Sequence, residues 1–225
     1  MNRSGDSGYH EQVIWRTKWF RLIGLLPLIF FIARLVEYVQ VGTPSQVLWM
    51  CHLANLLLAL GLFTANPSII RVSALLIVFG IPPWAVDMFV IRIITPVSIA
   101  SHLGGTILSL LILEKVRMKP RIWIAGIILF LLVQQICRMF TPFDLDVNNA
   151  HKVYSIWKDM ISNYWLYWIP SVLVVSTAMW IIEKVLLLVF PEKKNGEWKK
   201  NEEWRMENEE LRMENGEWRM ENGAK

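Results

Sequence analysis

The sequence predicts an all-α fold: a polytopic membrane helix bundle of about six transmembrane helices, with N and C termini cytoplasmic. Three observations carry this expectation. The chain of 225 residues is 54% hydrophobic, with a mean hydropathy of +0.38, more apolar than an ordinary soluble domain. Its charges gather in short clusters between long uncharged runs, several of which approach the ~20 residues a helix needs to cross a bilayer. The basic clusters fall at alternate ends of those runs, so an even number of spans places them all on one side.

Residues 1–17 are polar, with glycine and serine, and read as a mobile leader ahead of a transmembrane domain over 18–190. The first span runs from about Trp19 to Val41, bent by Pro27, and reads as a retained helix because no small-residue cleavage site follows it. After the turn Gly42–Ser45, the second span covers Gln46 to Ala65 and is closed by Asn66-Pro67. The third begins near Ile69 and meets Pro82-Pro83. Trp84 to Val97 then reads as a broken continuation, a re-entrant piece or a membrane-surface helix, and the sequence leaves these three open. Val97 to Leu113, Ile122 to Met139 and Tyr164 to Phe190 make the fourth, fifth and sixth spans.

Arg16, Lys18, Arg21, Arg71, Lys115, Arg117, Lys119, Arg121 and the lysines after Phe190 share one side, which reads as cytoplasmic. That pattern predicts a multi-pass protein of the inner (plasma) membrane. Tyr164, Trp165, Tyr167 and Trp168 form an aromatic belt at the opposite interface.

Residues 191–225 are a charged, low-complexity tail. Met206–Arg212 and Met213–Arg219 are near-copies, and Trp204, Leu211 and Trp218 recur at seven. The seven-nucleotide unit ATGGAGA read through three frames spells Met-Glu-Asn-Gly-Glu-Trp-Arg, so a translated DNA repeat explains the period better than a coiled-coil seam, which is interrupted by Asn and Gly.

The net charge of +4 reflects loop bias, and no zinc-finger, basic-helix or RNA-binding spacing points to nucleic acid. Expected partners are membrane lipids and a small-molecule or lipid substrate. The sequence does not set an oligomeric state. Cys51 and Cys137 both lie in apolar runs and give no disulfide framework.

Polar side chains at membrane depth are costly and tend to face a protein interior or a wet cavity. Cys51, His52 and Asn55 bring such groups into the second span. His52 lies six residues in from Gln46 and His102 six residues in from Pro96, each ~9 Å deep at the helical rise. Arg34 lies ~10 Å from the outer end of the first span, with Glu37 one turn shallower. Arg138 is near the outer end of the fifth, and Asp87 and Arg92 follow the third. All converge on one outer layer, whereas Arg71 and Glu183-Lys184 read as end residues that snorkel.

Each has a structural alternative. Arg34 and Glu37 can neutralise one another, Cys51 can be a small packing group, and Asn55 can bond between helices. The histidines can be packed and satisfied, and His151 with Asn148 and Asn149 reads as an ordered loop element. As chemistry, a histidine serves as a base held in its tautomer by a carboxylate such as Asp87. Cys51 is the candidate nucleophile. Arg34, Arg92 and Arg138 would suit a lipid phosphate, and Asn55 completes the binding set. Two histidines with Asp87 could hold a metal, but no His-Glu-x-x-His spacing is present; the expectation is metal-free chemistry without a cofactor.

Four stretches resemble the YwaF-like family of bacterial integral membrane proteins and, distantly, eukaryotic membrane acyltransferases of ether-lipid metabolism. They are Cys51-His52-Leu53, Gly80-Ile81-Pro82-Pro83-Trp84 through Asp87, Ser101-His102-Leu103-Gly104-Gly105, and Tyr164-Trp165-Leu166-Tyr167-Trp168. Leu103 departs from the family's Ala-His-Gly-Gly element, and Pro170 comes later than the prolines of its Pro-Trp-Pro-Trp-Tyr. The resemblance implies a lipid role with Cys51 as acyl carrier. A transporter or ligand-binding protein, and a structural partner without catalysis, are the competing expectations.

Overall fold

The computed structural model describes residues 18–91, 95–154 and 157–192. The leader, Arg92 and the repeat tail lie outside them. The described residues form helices and no strand: α1 Lys18–Leu22, α2 Leu25–Gln40, α3 Met50–Phe63, α4 Pro67–Phe79, α5 Ile81–Ile91, α6 Pro96–Ile99, α7 Gly105–Val116, α8 Ile122–Phe140 and α9 Tyr164–Val189. Short 3-10 turns cover Pro44–Leu48 and Val147–Asn149, and a π-turn covers Ala100–Gly104. Five stretches are long and apolar enough to cross a membrane: Lys18–Gln40, Pro67–Phe89, Pro96–Val116, Ile122–Phe140 and Tyr164–Val189. Met50–Phe63 is a shorter sixth. The fold is an all-α polytopic bundle, and its large apolar side chains left exposed, such as Ile29, Leu111, Leu132, Leu173 and Leu188, form the face a bilayer covers.

Helix starts follow from local sequence. The Asn66 side chain accepts from the amides of Ser68 and Ile69, and Pro67 occupies the first turn, where its missing N–H costs nothing. Thr95 caps Pro96 the same way through Ser98, and Asn163 caps α9 through Trp165 and Leu166. Pro82 and Pro83 fall in the first turn of α5, so they restart the helix after Gly80 without leaving interior carbonyls unpaired. Pro67–Phe89 together are long and apolar enough to cross a membrane as one stretch.

Two boundaries differ from expectation. The first span breaks at Ile23-Gly24, and Pro27 sits in the first turn of α2, so the proline follows the break instead of causing a bend. The second span does not start at Gln46. Trp49 takes an extended ψ of 134°, Pro44–Leu48 is a separate turn, and α3 is 14 residues, ~21 Å long against a ~30 Å hydrocarbon core. The reason lies 98 residues away: the Asn148 side chain accepts from the Met50 amide at 2.9 Å and donates to the Leu48 carbonyl at 2.8 Å. It caps the start of α3 from a distant loop.

That loop is folded. Asp146, Asn148 and Asn149 take positive φ of 44°, 57° and 53°, a region Asn and Asp tolerate. The turn buries Val147 and Ala150 completely against the bundle. Asp146 Oδ1 accepts from the amides of His151 and Lys152, and His151 Nε2 meets Thr141 Oγ1 at 3.2 Å. The expected ordered element is therefore present.

Helix α4 is the hub. Every residue from Ile70 to Ile77 is buried, and the helix packs on α3, α7, α8 and α9. It therefore reads as apolar all round, with no polar stripe. Its one charge, Arg71, does not snorkel. Arg71 is buried and donates from Nε to the Arg117 carbonyl at 2.7 Å and from Nη2 to the Val116 carbonyl at 2.9 Å, closing the C-terminus of α7. Glu183 is also buried rather than snorkelled. Its carboxylate accepts from the Arg121 amide at 3.1 Å and the Trp123 amide at 2.8 Å, opening α8. A cation at a helix C-terminus and an anion at an N-terminus both complement the dipole.

Candidate functional site

The site forms where α3 begins, where Gly80 joins α4 to α5, and where the π-turn interrupts the fourth span. Gly80 is needed for close approach, because a Cβ there would come within 3.2 Å of the Cys51 Cβ. The π-turn carries Ser101 and His102, both buried; such turns occur frequently at functional sites. Asn55, one turn after Cys51, ties the two elements. Its Nδ2 donates to the carbonyls of Cys51 at 3.0 Å and Ser101 at 3.3 Å. A Cβ on Gly105 would stand 2.6 Å from Asn55 Oδ1. Gly105→Ala is expected to cost ~1–3 kcal/mol through overpacking and to separate the two walls, read as a lower unfolding midpoint in detergent than wild type.

The histidines expected at matched depth are together. The His52 and His102 rings lie 5.5 Å apart, edge to face at 71°. His102 stacks on Trp84 with centroids 4.8 Å apart and planes within 10°. Its Nδ1 lies 2.9 Å from the Ser98 carbonyl. A carbonyl only accepts, so Nδ1 carries the proton and Nε2 keeps its lone pair. The Trp84 indole N–H donates to Ser98 Oγ at 3.0 Å, so Ser98 sets both the ring and its stacking partner.

On the other side, His52 Nε2 lies 3.1 Å from the Tyr38 hydroxyl. Arg34 donates to that same hydroxyl and to Glu37, with its guanidinium 4.5 Å from the Tyr38 ring centroid. Tyr38 accepts from Arg34 and keeps both its own proton and a second lone pair, so it can pair with His52 Nε2 in either ring tautomer. Arg34 and Glu37 thus do neutralise one another, and Arg34 also reaches the site through Tyr38. Cys51 Sγ lies 3.7 Å from His52 Nδ1. Cys51, His52 and His102 each offer one ligand atom within 4.8 Å of the other two.

These groups line a cavity of about 300 Å³ that also receives Arg34, Tyr38, Asp87 and the ring of Phe130. A second cavity of about 410 Å³ adjoins it, sharing Phe130, Asn148, Asn149 and Val175.

Three residues stand differently from their expected roles. Asp87 lines the cavity, but its hydrogen bond runs to the Tyr154 hydroxyl at 3.4 Å, and the Ser98 carbonyl orients the histidine instead. Burial, and then the Asp87 carboxylate, raise the Tyr154 phenol above its ordinary pKa, which keeps it a donor. Arg138 lies away from this cavity's lining, its guanidinium 4.4 Å and 4.5 Å from the rings of Tyr164 and Trp165, a cation–π clamp in the aromatic belt. Asn55 bonds between helices and contributes no cavity wall. Sequence reasoning missed Tyr38 and Ser98. Tyr38 stands four residues after Arg34, a spacing that faces it to the same side.

No protein-family model, curated protein or solved structure matches the chain.

Proposed function

We propose that this is an acyl transferase or hydrolase acting on membrane lipid from within the bundle, with Cys51 as nucleophile and His102 as base. One observation carries the reading: Cys51 and His102, whose Nδ1 is held by a carbonyl, line one cavity with their ligand atoms within 4.8 Å of each other. In the first half-reaction the Cys51 sulfur attacks the carbonyl carbon of a lipid ester, and its proton passes to His102 Nε2. The ester C–O bond breaks, the leaving alkoxide takes that proton, and the acyl group stays on Cys51 as a thioester. Water or a second lipid hydroxyl then gives its proton to His102 and attacks the thioester; the C–S bond breaks, and the departing sulfur takes the proton from His102, restoring the Cys51 thiol and the neutral ring. Arg34 and Tyr38 supply donors for the oxyanion, while Phe79, Met88, Phe130 and Val175 give the chain an apolar bed. Arg138 in the aromatic belt serves as a headgroup contact. In this reading the protein lies in the inner membrane with cytoplasmic termini and the cavity toward the outer leaflet.

Purified protein incubated with phospholipid in nanodiscs is expected to carry an acyl mass on the peptide containing Cys51, removable by hydroxylamine. Cys51→Ala should abolish both adduct and lipid turnover. Unchanged turnover in that variant refutes the reading.

A further inference from the structure

We infer that Cys51, His52 and His102 form a binding site for a zinc-class divalent ion, and that loading it withdraws the thiol from chemistry. The inference stands independently of acyl transfer. Three ligand atoms from two separate elements, the start of α3 and the π-turn, already lie within 4.8 Å of one another. The Cys51–His52 spacing of 3.7 Å is close to the ~3.5 Å edge expected of a tetrahedron with bonds of ~2.3 Å to sulfur and ~2.0–2.1 Å to nitrogen. Two soft-to-borderline nitrogens and a thiolate favour zinc-like ions over magnesium or calcium, which prefer oxygen.

The second observation is the outer support of both rings. Metal-bound histidines nearly always have the far ring nitrogen held by a carbonyl, carboxylate or water. His102 has this through Ser98, which leaves Nε2 for the ion. His52 has it through Tyr38, whose hydroxyl can accept from Nε2–H and so free the Nδ1 lone pair for the ion; the sulfur lies 3.7 Å from Nδ1 and 3.9 Å from Nε2. The charges around the site are compatible with a cation. Arg34 is paired with Glu37, Asp87 faces the same cavity, and the sulfur becomes an anion on loading. The protons balance: the ion replaces the thiol proton, which leaves to solvent, and both imidazoles stay neutral. The fourth position opens to the cavity.

The test loads the full chain, purified in detergent and stripped with chelator, with cobalt(II) and separately with zinc. Wild type is expected to bind one equivalent and to show a thiolate-to-cobalt charge-transfer band. Cys51→Ser should lose the band, and His102→Ala should weaken retention at least tenfold, while His151→Ala, in the 141–152 loop, should match wild type. Failure of the wild type to retain an equivalent overturns the site, as does binding unchanged in folded Cys51→Ser and His102→Ala. The readings fail separately: zinc should suppress acyl-adduct formation and chelator should restore it, whereas cobalt binding with no adduct under any condition removes acyl transfer and leaves the metal site.

Discussion

Replacing His102 with alanine is expected to lower lipid turnover by ~10²–10⁴-fold, the range for loss of a positioned general base. The ring lines the cavity and keeps its lone pair on Nε2, held by the Ser98 carbonyl at Nδ1 and by Trp84 along its face. His52→Ala should cost less, because no carbonyl fixes its tautomer: Nε2 meets the Tyr38 hydroxyl and Nδ1 lies 3.7 Å from the sulfur. Trp84→Leu separates positioning from packing. It keeps Ser98 and removes the stack, so turnover should fall while the pH profile keeps its shape. Steady-state assays across pH check this ordering. Equal turnover in His102→Ala and wild type would place the base elsewhere.

Glu183→Ala is expected to cost ~3–5 kcal/mol, the largest stability loss of any single acidic replacement. Its carboxylate is the acceptor for two amides at the start of α8, and hydrogen bonds to a charged group contribute ~1.5–3 kcal/mol each. The turn between α7 and α8 also places Arg117 and Arg121 at positive φ of 58° and 70°. Left-handed backbone at non-glycine residues costs ~1–2 kcal/mol apiece and persists only where surroundings over-determine it. Arg71 on one side and Glu183 on the other do this. Glu114→Ala, at an exposed position of α7, should stay within ~0.5 kcal/mol. Unfolding in mixed micelles decides the matter: midpoints that coincide for Glu183→Ala and Glu114→Ala would remove Glu183 from this role. Arg71→Ala combined with Glu183→Ala should be non-additive, since both act on one turn.

The bundle was legible because lipid demands apolar length and charge clustering, and both are written directly in the residues. The two histidines were legible for the same reason: an imidazole inside such a run needs a partner. The depth arithmetic itself rested on a wrong start for the second span. No local pattern marks Asn148 as the cap of a helix 98 residues earlier. Ser98 was invisible because it acts on His102 through a backbone carbonyl, which every residue carries. Glu183 and Arg71 looked like interface residues because position near a span end does not say which way a side chain turns. Asp87 was correctly drawn to the cavity wall, but its partner, Tyr154, sits in a loop whose placement the sequence does not encode locally.

The tie between Asn148 and Met50 has a consequence for biogenesis. At ~5–20 residues per second, the 98 residues separating them take about 5–20 s to emerge from the ribosome. For that interval the Cys51-His52 end of α3 is inserted without its cap and without the loop that covers it. The Cys51-His52 end of α3 is therefore capped only after α8 has been made, and a nascent chain halted before Asn148 should label faster at Cys51 with a thiol reagent than the finished chain, in which Cys51 is half-buried.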